Sequence, residues 1–366
     1  MDKALQSGKT VGRPDANRLL DWYDRHHRSL PWRVAPPDAR LGVLPDPYQV
    51  WLSEIMLQQT TVSAVKDYFT RFVGLWPTVE ALAQAGEDEV LKAWAGLGYY
   101  SRARNLHKCA GVVCERHAGR FPETVDALKA LPGIGDYTAA AIAAIAFDEP
   151  ATVVDGNIER IISRLCQIEE PLPGAKKPIR IKMAELTPES RPGDFAQGMM
   201  DLGASLCSPK KPACSLCPFT GCCEAEAAGT MERFPVKAPK KEKPTRRGAA
   251  FLIKRQQDGA IWLQKRPDKG LLASMSQVPT SNWFDKKEGE AFTPDTALFS
   301  APEGLDFRKR TGQVRHTFTH FHLELDVYEA DTNRSQPTPD GWWSEPAALA
   351  GEALPTVFRK VLDLGR

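Results

Sequence analysis

The chain has 366 residues, of which 42% are hydrophobic, and its formal net charge is only +2. This length and apolar content are typical of a globular protein with two folded domains. The near-neutral charge excludes any argument for nucleic-acid binding from overall charge, so such an argument must depend on local basic patches.

Two features of the sequence bear on its location. No run of eighteen or more apolar residues occurs, and the N-terminus lacks the apolar core of an export signal. We therefore expect no membrane association and a cytoplasmic, reducing environment. We also expect the protein to be a monomer. Eight cysteines in such an environment favour metal ligation over disulfide bonds.

Four segments differ in composition and periodicity. Residues 1–14 are polar and predict a disordered tail. Residues 15–228 are rich in alanine, with apolar spacings of three and four that predict an all-α domain. Residues 229–245 are basic and Pro-rich, which predicts an extended linker. Residues 246–366 contain β-rich runs separated by turn signals and a short final helix, which predicts a smaller α+β domain.

Four cysteines form the pattern C-x6-C-x2-C-x5-C at Cys207, Cys214, Cys217 and Cys223. Four thiolates this close together satisfy the sulfur ligation of zinc or of an iron–sulfur cluster. Zinc sites usually contain two C-x2-C pairs, and only one is present here, so zinc is the less favoured metal. Cys222 stays open as an alternative fourth ligand because it adjoins Cys223.

A glycine-containing string, LPGIGDYTA, occupies residues 131–139 and precedes an alanine-rich helical stretch. Gly133 and Gly135 permit a tight turn whose amide groups point outward. Such a turn at a helix N-terminus binds one phosphate without reading sequence. The G-x-G pattern alone is weak, but the full string is a helix–hairpin–helix signature.

Two carboxylates have contrasting predicted environments. We predict one amphipathic helix over residues 47–73, with Glu54 at the edge of its apolar stripe and Gln58 one turn later. A carboxyl group on an apolar face retains its proton because desolvation disfavours the anion, and a protonated carboxyl can act as a general acid. Asp155 is placed as the N-cap of the next helix, where amide donors and the helix dipole keep a carboxylate ionised.

A neutral and an ionised carboxyl are the pair that breaks a glycosidic bond through an oxocarbenium-like state. Each residue also has a structural alternative. Glu54 fits a partly buried glutamate satisfied by a neighbour, and Asp155 fits a simple helix cap.

Six motifs occur in order between residues 17 and 225. They are LPWR (30–33), SEIMLQQT (53–60), GLGYYSRARNL (96–106), LPGIGDYTA (131–139), VDGNIER (154–160) and the cysteine pattern. Together they resemble the helix–hairpin–helix iron–sulfur DNA glycosylases, and most closely the adenine DNA glycosylase family. The resemblance implies an enzyme that removes adenine facing 8-oxoguanine or guanine in duplex DNA, with a [4Fe–4S] cluster on the four cysteines.

The resemblance also implies roles for individual residues. Glu54 would protonate the adenine and later help to activate water, and Asp155 would stabilise or covalently trap the sugar cation. Tyr137 and Asn157 would orient these groups around a base flipped out of the duplex. The residues implied in contacts with the base or the duplex are Arg33, Leu57, Gln59, Tyr99, Gly133, Gly135 and Gln197.

Tyr137 separates two branches of this superfamily. Related thymine-glycol enzymes have a lysine at this position, which forms a Schiff base with the sugar and cleaves the strand. A tyrosine cannot form one, so the sequence favours base removal without strong strand cleavage. A thymine-glycol glycosylase with lyase activity and a non-catalytic lesion-binding protein remain the alternatives.

Residues 246–366 resemble the Nudix-like domain appended to adenine DNA glycosylases. The glutamate-dense box of Nudix hydrolases is absent from the sequence, so we expect lesion recognition and not nucleotide hydrolysis. The string Phe318-Thr319-His320 matches the family's loop that senses the oxidised guanine, usually Phe-Ser-His. Its structural alternative is a plain β-strand. The Pro-rich stretch 34–46 is longer than the family's usual connection, and we expect a surface loop without a catalytic role.

Overall fold

The computed structural model describes residues 11–239, 242–285 and 293–365, which group into two compact units. The helical unit contains Met1–Gln84 and Asn105–Pro239, and the sheet unit contains Ala85–Arg104 and Lys240–Arg366. The predicted all-α and α+β architecture is therefore confirmed. The grouping of residues 85–104 with the sheet unit was not anticipated by the predicted boundaries.

Helices account for the ordered elements before the sheet. They are α1 (Ala16–His26), α2 (Pro36–Arg40), α3 (Pro47–Leu57), α4 (Val62–Leu75), α5 (Val79–Gln84), α6 (Glu87–Ala93), α7 (Ser101–His117), α8 (Val125–Lys129), α9 (Asp136–Phe147), α10 (Gly156–Leu165), α11 (Lys176–Leu186), α12 (Pro192–Ser205) and α13 (Glu224–Ala227). Among the described residues, no helix combines the length and the apolar character needed to cross a membrane.

The helical unit is built around α9, whose alanine-rich face is buried from Thr138 to Ala144. Because these side chains are small, α3, α8 and α12 all pack against α9. The approach of α12 is so close that a Cβ at Gly193 would lie 2.4 Å from the carbonyl oxygen of Ala144. This packing brings α3, α9 and α12 together.

The predicted single helix over residues 47–73 is wrong, because the chain forms α3 and α4 with a break between them. Gln59 adopts a left-handed backbone conformation (φ 57°), which ends the first helix. The side chain of Thr61 then caps the second helix by accepting a hydrogen bond from the Ala64 N–H at 3.4 Å. Glu54 is therefore buried because α3 is buried on nearly all sides, and not because of an apolar stripe continued into α4.

Three segments predicted to lack structure are partly ordered. The stretch 34–46 contains α2, which has proline in its first turn. Within the predicted linker at 229–245, Phe234 is buried and the Leu172 N–H donates to the Val236 carbonyl at 2.9 Å, so this part packs onto the helical unit. Residues 1–10 of the predicted tail lie outside the described residues, and Gly12 donates to the Gly221 carbonyl at 2.9 Å.

Besides α6, the sheet unit contains seven strands and two further α-helices among its described residues. They are β1 (Thr245–Arg255), β2 (Ile261–Lys265), β3 (Ser276–Gln277), β4 (Phe284–Asp285), α14 (Pro294–Phe299), β5 (Arg308–Thr317), β6 (His322–Thr332), β7 (Trp342–Ser344) and α15 (Thr356–Leu364). The strand order is β3-β2-β1-β6-β5, with β4 on β1 and β7 on β2. The β1–β6 pair is parallel and the other pairs are antiparallel.

The apolar face of α15 covers this sheet. Val357, Phe358 and Val361 are buried against strand residues that include Leu252 and Leu325. The stretch after β5 turns instead of continuing as a strand, because the Phe318 N–H donates to the Phe321 carbonyl at 2.9 Å. The alternative of a continuous strand through Phe318-Thr319-His320 is therefore wrong.

The turn between α8 and α9 forms the predicted helical hairpin. Gly133 has a φ of 76°, and a Cβ built there would lie 2.7 Å from the Cβ of Asn105. Gly135 is the N-cap of α9 with a φ of −96°, and a Cβ at this position would meet open space. Gly133 is thus required by both conformation and space, whereas Gly135 is required by neither.

We expect Gly133→Ala to lower the free energy of unfolding by at least about 1–2 kcal/mol, because a left-handed backbone and a steric clash are both imposed on the alanine. Urea denaturation measures this loss. Gly135→Ala is the matched control and should change stability far less. Equal effects of the two substitutions would contradict this account of the turn.

Candidate functional site

A cavity of about 820 Å³ opens in the helical unit, lined by α3, α9, α12 and the N-terminus of α10. This volume suits a small-molecule or single-base ligand. The sequence-predicted residues that line it are Arg33, Glu54, Leu57, Gln59, Gly133, Gly135, Tyr137, Asp155, Asn157 and Gln197. The structure thus gathers side chains from widely separated motifs into one site.

Glu54 provides an acidic group in an apolar environment, with only 6% of the residue exposed. Burial raises the pKa of its carboxyl group to about 7, although a hydrogen bond from Tyr137 and the positive charge of Arg33 lower it. The negative charge of Asp155 raises this pKa further. Glu54 therefore holds its proton to near-neutral pH, as a general acid must.

Tyr137 lies near the start of α9 and shares a hydrogen bond with Glu54. Burial and the nearby carboxylates of Glu54 and Asp155 raise the pKa of this phenol well above its ordinary value. The hydroxyl group therefore stays protonated and can donate to the carboxyl group of Glu54.

Asp155 is the N-cap of α10, as the sequence predicted. One carboxylate oxygen accepts from the Ile158 N–H at 2.7 Å, and the other accepts from the Asn157 side-chain amide at 3.1 Å. These hydrogen bonds lower its pKa, but burial raises the pKa by more, so the net direction is upward. Asp155 is therefore both capped and largely desolvated.

Arg160 connects this cap to the cysteine segment. Its guanidinium donates to the side-chain oxygen of Asn157 at 2.9 Å, to the Gly203 carbonyl at 2.7 Å and to the Cys207 carbonyl at 2.8 Å. Asn157 is thus fixed from both sides. The sequence did not single out Arg160, although its i+3 position after Asn157 in α10 places both on one helix face.

A buried ion pair also borders the cavity. A guanidinium nitrogen of Arg33 lies 2.9 Å from each carboxylate oxygen of Asp201, and Arg28 Nε lies 2.6 Å from one of them. Arg28 and Arg33 line the cavity. The sequence did not point to Asp201 or Arg28; the one available signal is that Asp201 follows Gln197 by one turn of α12.

Residues at the end of α3 form another wall of the cavity. The side-chain amide of Gln58 donates to the Thr138 hydroxyl at 3.2 Å, which ties α3 to α9. Gln59 is exposed, and its left-handed backbone is uncommon for a residue other than glycine. Such conformations are concentrated at functional sites.

The four predicted cysteine ligands line one small cavity near Arg164 and Met231. Cys222 does not line it, and instead accepts a hydrogen bond from Arg18 at 3.1 Å, so Cys223 is the better fourth ligand. Burial raises the pKa of Cys217 to about 12 and that of Cys223 to about 11. Four thiol groups that line one cavity are a donor set that fits a metal group.

The remaining predicted residues lie in the sheet unit. A cavity of about 610 Å³ is lined by Tyr99, Phe318, Thr319 and His320, which do not line the cavity of the helical unit. Tyr99 is 51% exposed and has a φ of 48°. The guanidinium of Arg102 lies over its ring, 5.7 Å from the centroid.

The turn after β5 is held by aromatic contacts. The ring of Phe318 stacks on Trp283 with centroids 6.0 Å apart, and it lies 4.9 Å from the ring of Phe321. Thr319 and His320 are exposed. The packing of Phe318 therefore anchors the turn whose exposed residues, Thr319 and His320, line this cavity.

Comparisons with known proteins match both parts of the chain. Residues 52–189 match the HhH-GPD superfamily of base excision DNA repair proteins, and residues 249–364 match the NUDIX domain. The adenine DNA glycosylase of Homo sapiens is 34% identical, over 94% of this chain and 72% of the relative. The chain belongs to the adenine DNA glycosylase family.

The adenine DNA glycosylase of Buchnera aphidicola subsp. Schizaphis graminum is also 34% identical, over 94% of this chain and 97% of the relative. A solved thermostable thymine-DNA glycosylase is similar in fold, with a TM-score of 0.50 and 30% identity over 57% of this chain and 93% of the other. The family resemblance of the six motifs is therefore confirmed. The protein is a DNA glycosylase of base excision repair.

The raised pKa of Glu54 predicts a pH-dependent stability. Between the ordinary pKa of 4.5 and the folded value of about 7, the folded protein binds more protons than the unfolded chain, so its stability falls as pH rises. Glu54→Gln removes this loss. From pH 4 to pH 8, the stability of the variant relative to the wild type should increase by on the order of 3 kcal/mol. Urea unfolding at several pH values measures it, and parallel curves for the two proteins would contradict a raised pKa.

Proposed function

We propose that this glycosylase removes adenine from duplex DNA where the adenine faces 8-oxoguanine or guanine. The observation that carries the proposal is the placement of Glu54 and Asp155 in one base-sized cavity, with the pKa of Glu54 close to neutrality. The names of the relatives support adenine as the base removed.

In this proposal the target adenine leaves the base stack and enters the cavity of the helical unit. The neutral carboxyl group of Glu54 donates its proton to a ring nitrogen, so the base leaves with the electron pair of the glycosidic bond. Tyr137 holds Glu54 in place during this transfer. Arg33 and Gln197 line the wall of the cavity and are positioned to contact the base.

Departure of the base leaves positive charge on the sugar. Asp155 faces the same cavity and stabilises this cation or bonds to it. Its two hydrogen-bond donors, the Ile158 amide and Asn157, fix the carboxylate before the charge develops. Glu54, now a carboxylate, accepts a proton from the water that completes hydrolysis.

The two remaining parts of the proposal concern DNA recognition. The outward amide groups of the turn at Gly133 and Gly135 bind a phosphate of the duplex. Gln59 and Tyr99 enter the duplex beside the base opposite the target, and Thr319 and His320 contact that base. Both Gln59 and Tyr99 are exposed and have left-handed backbones. We expect the protein to act as a cytoplasmic monomer.

A panel of lesion duplexes tests the activity. The wild type should release adenine opposite 8-oxoguanine and guanine, leaving sites that break only after alkaline treatment, because Tyr137 lacks the amine that strand cleavage through a Schiff base requires. Glu54→Gln should bind the same duplexes but release adenine at least about 100-fold more slowly. Glu123→Gln, at an exposed position, is the matched control.

Two results would overturn this proposal. One is strand cleavage at thymine glycol without alkali and without adenine release, which would favour a thymine-glycol glycosylase with lyase activity. The other is normal turnover by Glu54→Gln, which would exclude Glu54 as the acid.

We also propose that Cys207, Cys214, Cys217 and Cys223 hold a [4Fe–4S] cluster. The four cysteines line one small cavity, and their sequence contains a single C-x2-C pair, whereas zinc sites usually contain two. A cluster distributes its thiolate ligands over several irons, whereas zinc needs all four sulfurs about 2.3 Å from one ion. Arg164 donates to Cys207 Sγ at 3.2 Å and to the Ser208 carbonyl at 2.8 Å, which shapes this segment for the cluster.

Metal analysis of anaerobically purified protein tests the cluster. The wild type should be brown and contain about four irons per chain. Cys223→Ser should lower the iron content, whereas Cys222→Ser should retain it because Cys222 does not line the cavity and accepts a hydrogen bond from Arg18 instead. A colourless wild type with one zinc per chain would contradict the proposal.

A further inference from the structure

We infer that Asp201 is a positioning residue that holds Arg33 at the wall of the cavity of the helical unit. Asp201 also neutralises the charge of Arg33 beside Glu54. The inference rests on the proposed function. Asp201 does not line the cavity, so it acts through the arginines that do.

Asp201 is a buried carboxylate whose two oxygens both accept hydrogen bonds. Only 1% of its side chain is exposed, and its oxygens accept from Arg33 at 2.9 Å and from the side chain and backbone N–H of Arg28 at 2.6 and 2.9 Å. The side chain of Arg33 is 8% exposed, whereas that of Arg28 is 32% exposed. The Asp201–Arg33 pair is therefore the more desolvated of the two.

The position of Asp201 on α12 relates it to the base. It follows Gln197 by four residues, so both side chains lie on one helix face. Gln197 and Arg33 line the same cavity. Helix α12 thus presents Gln197 to the cavity and fixes Arg33 through the ion pair with Asp201.

The charge of Arg33 links this pair to catalysis. The charged and titratable groups that act on Glu54 are Tyr137, Arg33 and Asp155, and Arg33 lowers the pKa of Glu54. Asp201 offsets the positive charge of Arg33. Without that offset the pKa of Glu54 falls, and less of the general acid is protonated at neutral pH.

Single-turnover adenine release by the full-length holoprotein, measured from pH 5 to pH 9, tests the inference. In Asp201→Asn the alkaline limb of the pH–rate profile should move to lower pH, with a rate loss on the order of tenfold at pH 8 that shrinks towards pH 5.5. Asp201→Glu should restore much of the profile because it keeps the charge. Asp194→Asn is the control on the same helix, since Asp194 pairs with Arg191 and does not line the cavity.

Arg33→Gln supplies a second test that does not depend on the folding of Asp201→Asn. Removal of the positive charge should move the alkaline limb to higher pH, opposite to the effect of Asp201→Asn. A uniform rate loss at every pH in Asp201→Asn, or no shift in Arg33→Gln, would overturn the inference. If the wild type itself released no adenine, the proposed function would be the part that fails.

Discussion

Desolvation of one carboxyl group is the constraint on which the helical unit depends. Glu54 is buried because the alanine-rich α9 allows α3 and α12 to approach closely, and the same approach creates the walls of the cavity. Burial of an ionisable group opposes folding at neutral pH, so the surrounding helices must supply compensating apolar contacts. Core packing and acid chemistry are thus two results of one arrangement.

The carboxyl groups in the cavity and behind its wall are fixed by different means. Glu54 depends on apolar surroundings and a phenol, whereas Asp155 depends on a helix cap and an amide that Arg160 holds in turn. The carboxylate of Asp201 is held by hydrogen bonds from Arg28 and Arg33. Because each carboxyl has its own donors, a substitution beside one of them need not release the others.

Local sequence patterns predicted the catalytic side chains of the site better than the residues that hold those side chains in place. The motifs that carry Glu54, Tyr137 and Asp155 are short, and each has a recognisable spacing, so their meeting in one cavity could be expected. Asp201 could not be foreseen, because its arginine partners lie far away in sequence and nothing local distinguishes it from a surface aspartate. The break after Gln58 was missed for another reason: a left-handed glutamine leaves no compositional signal. The net pKa shift of Asp155 was also missed, because burial at the cavity is a tertiary property.

The parallel pairing of β1 with β6 has a consequence for synthesis of the chain. Thr245 pairs with His322 and Arg255 with Thr332. Strand β1, at the centre of the sheet, can therefore pair with β6 only after the ribosome has made the residues between them. Until then the buried run of β1, from Gly248 to Ile253, has an open hydrogen-bonding edge in the nascent polypeptide. Non-local strand pairing of this kind is slow, so this edge of β1 stays open to other strands until β6 has been made.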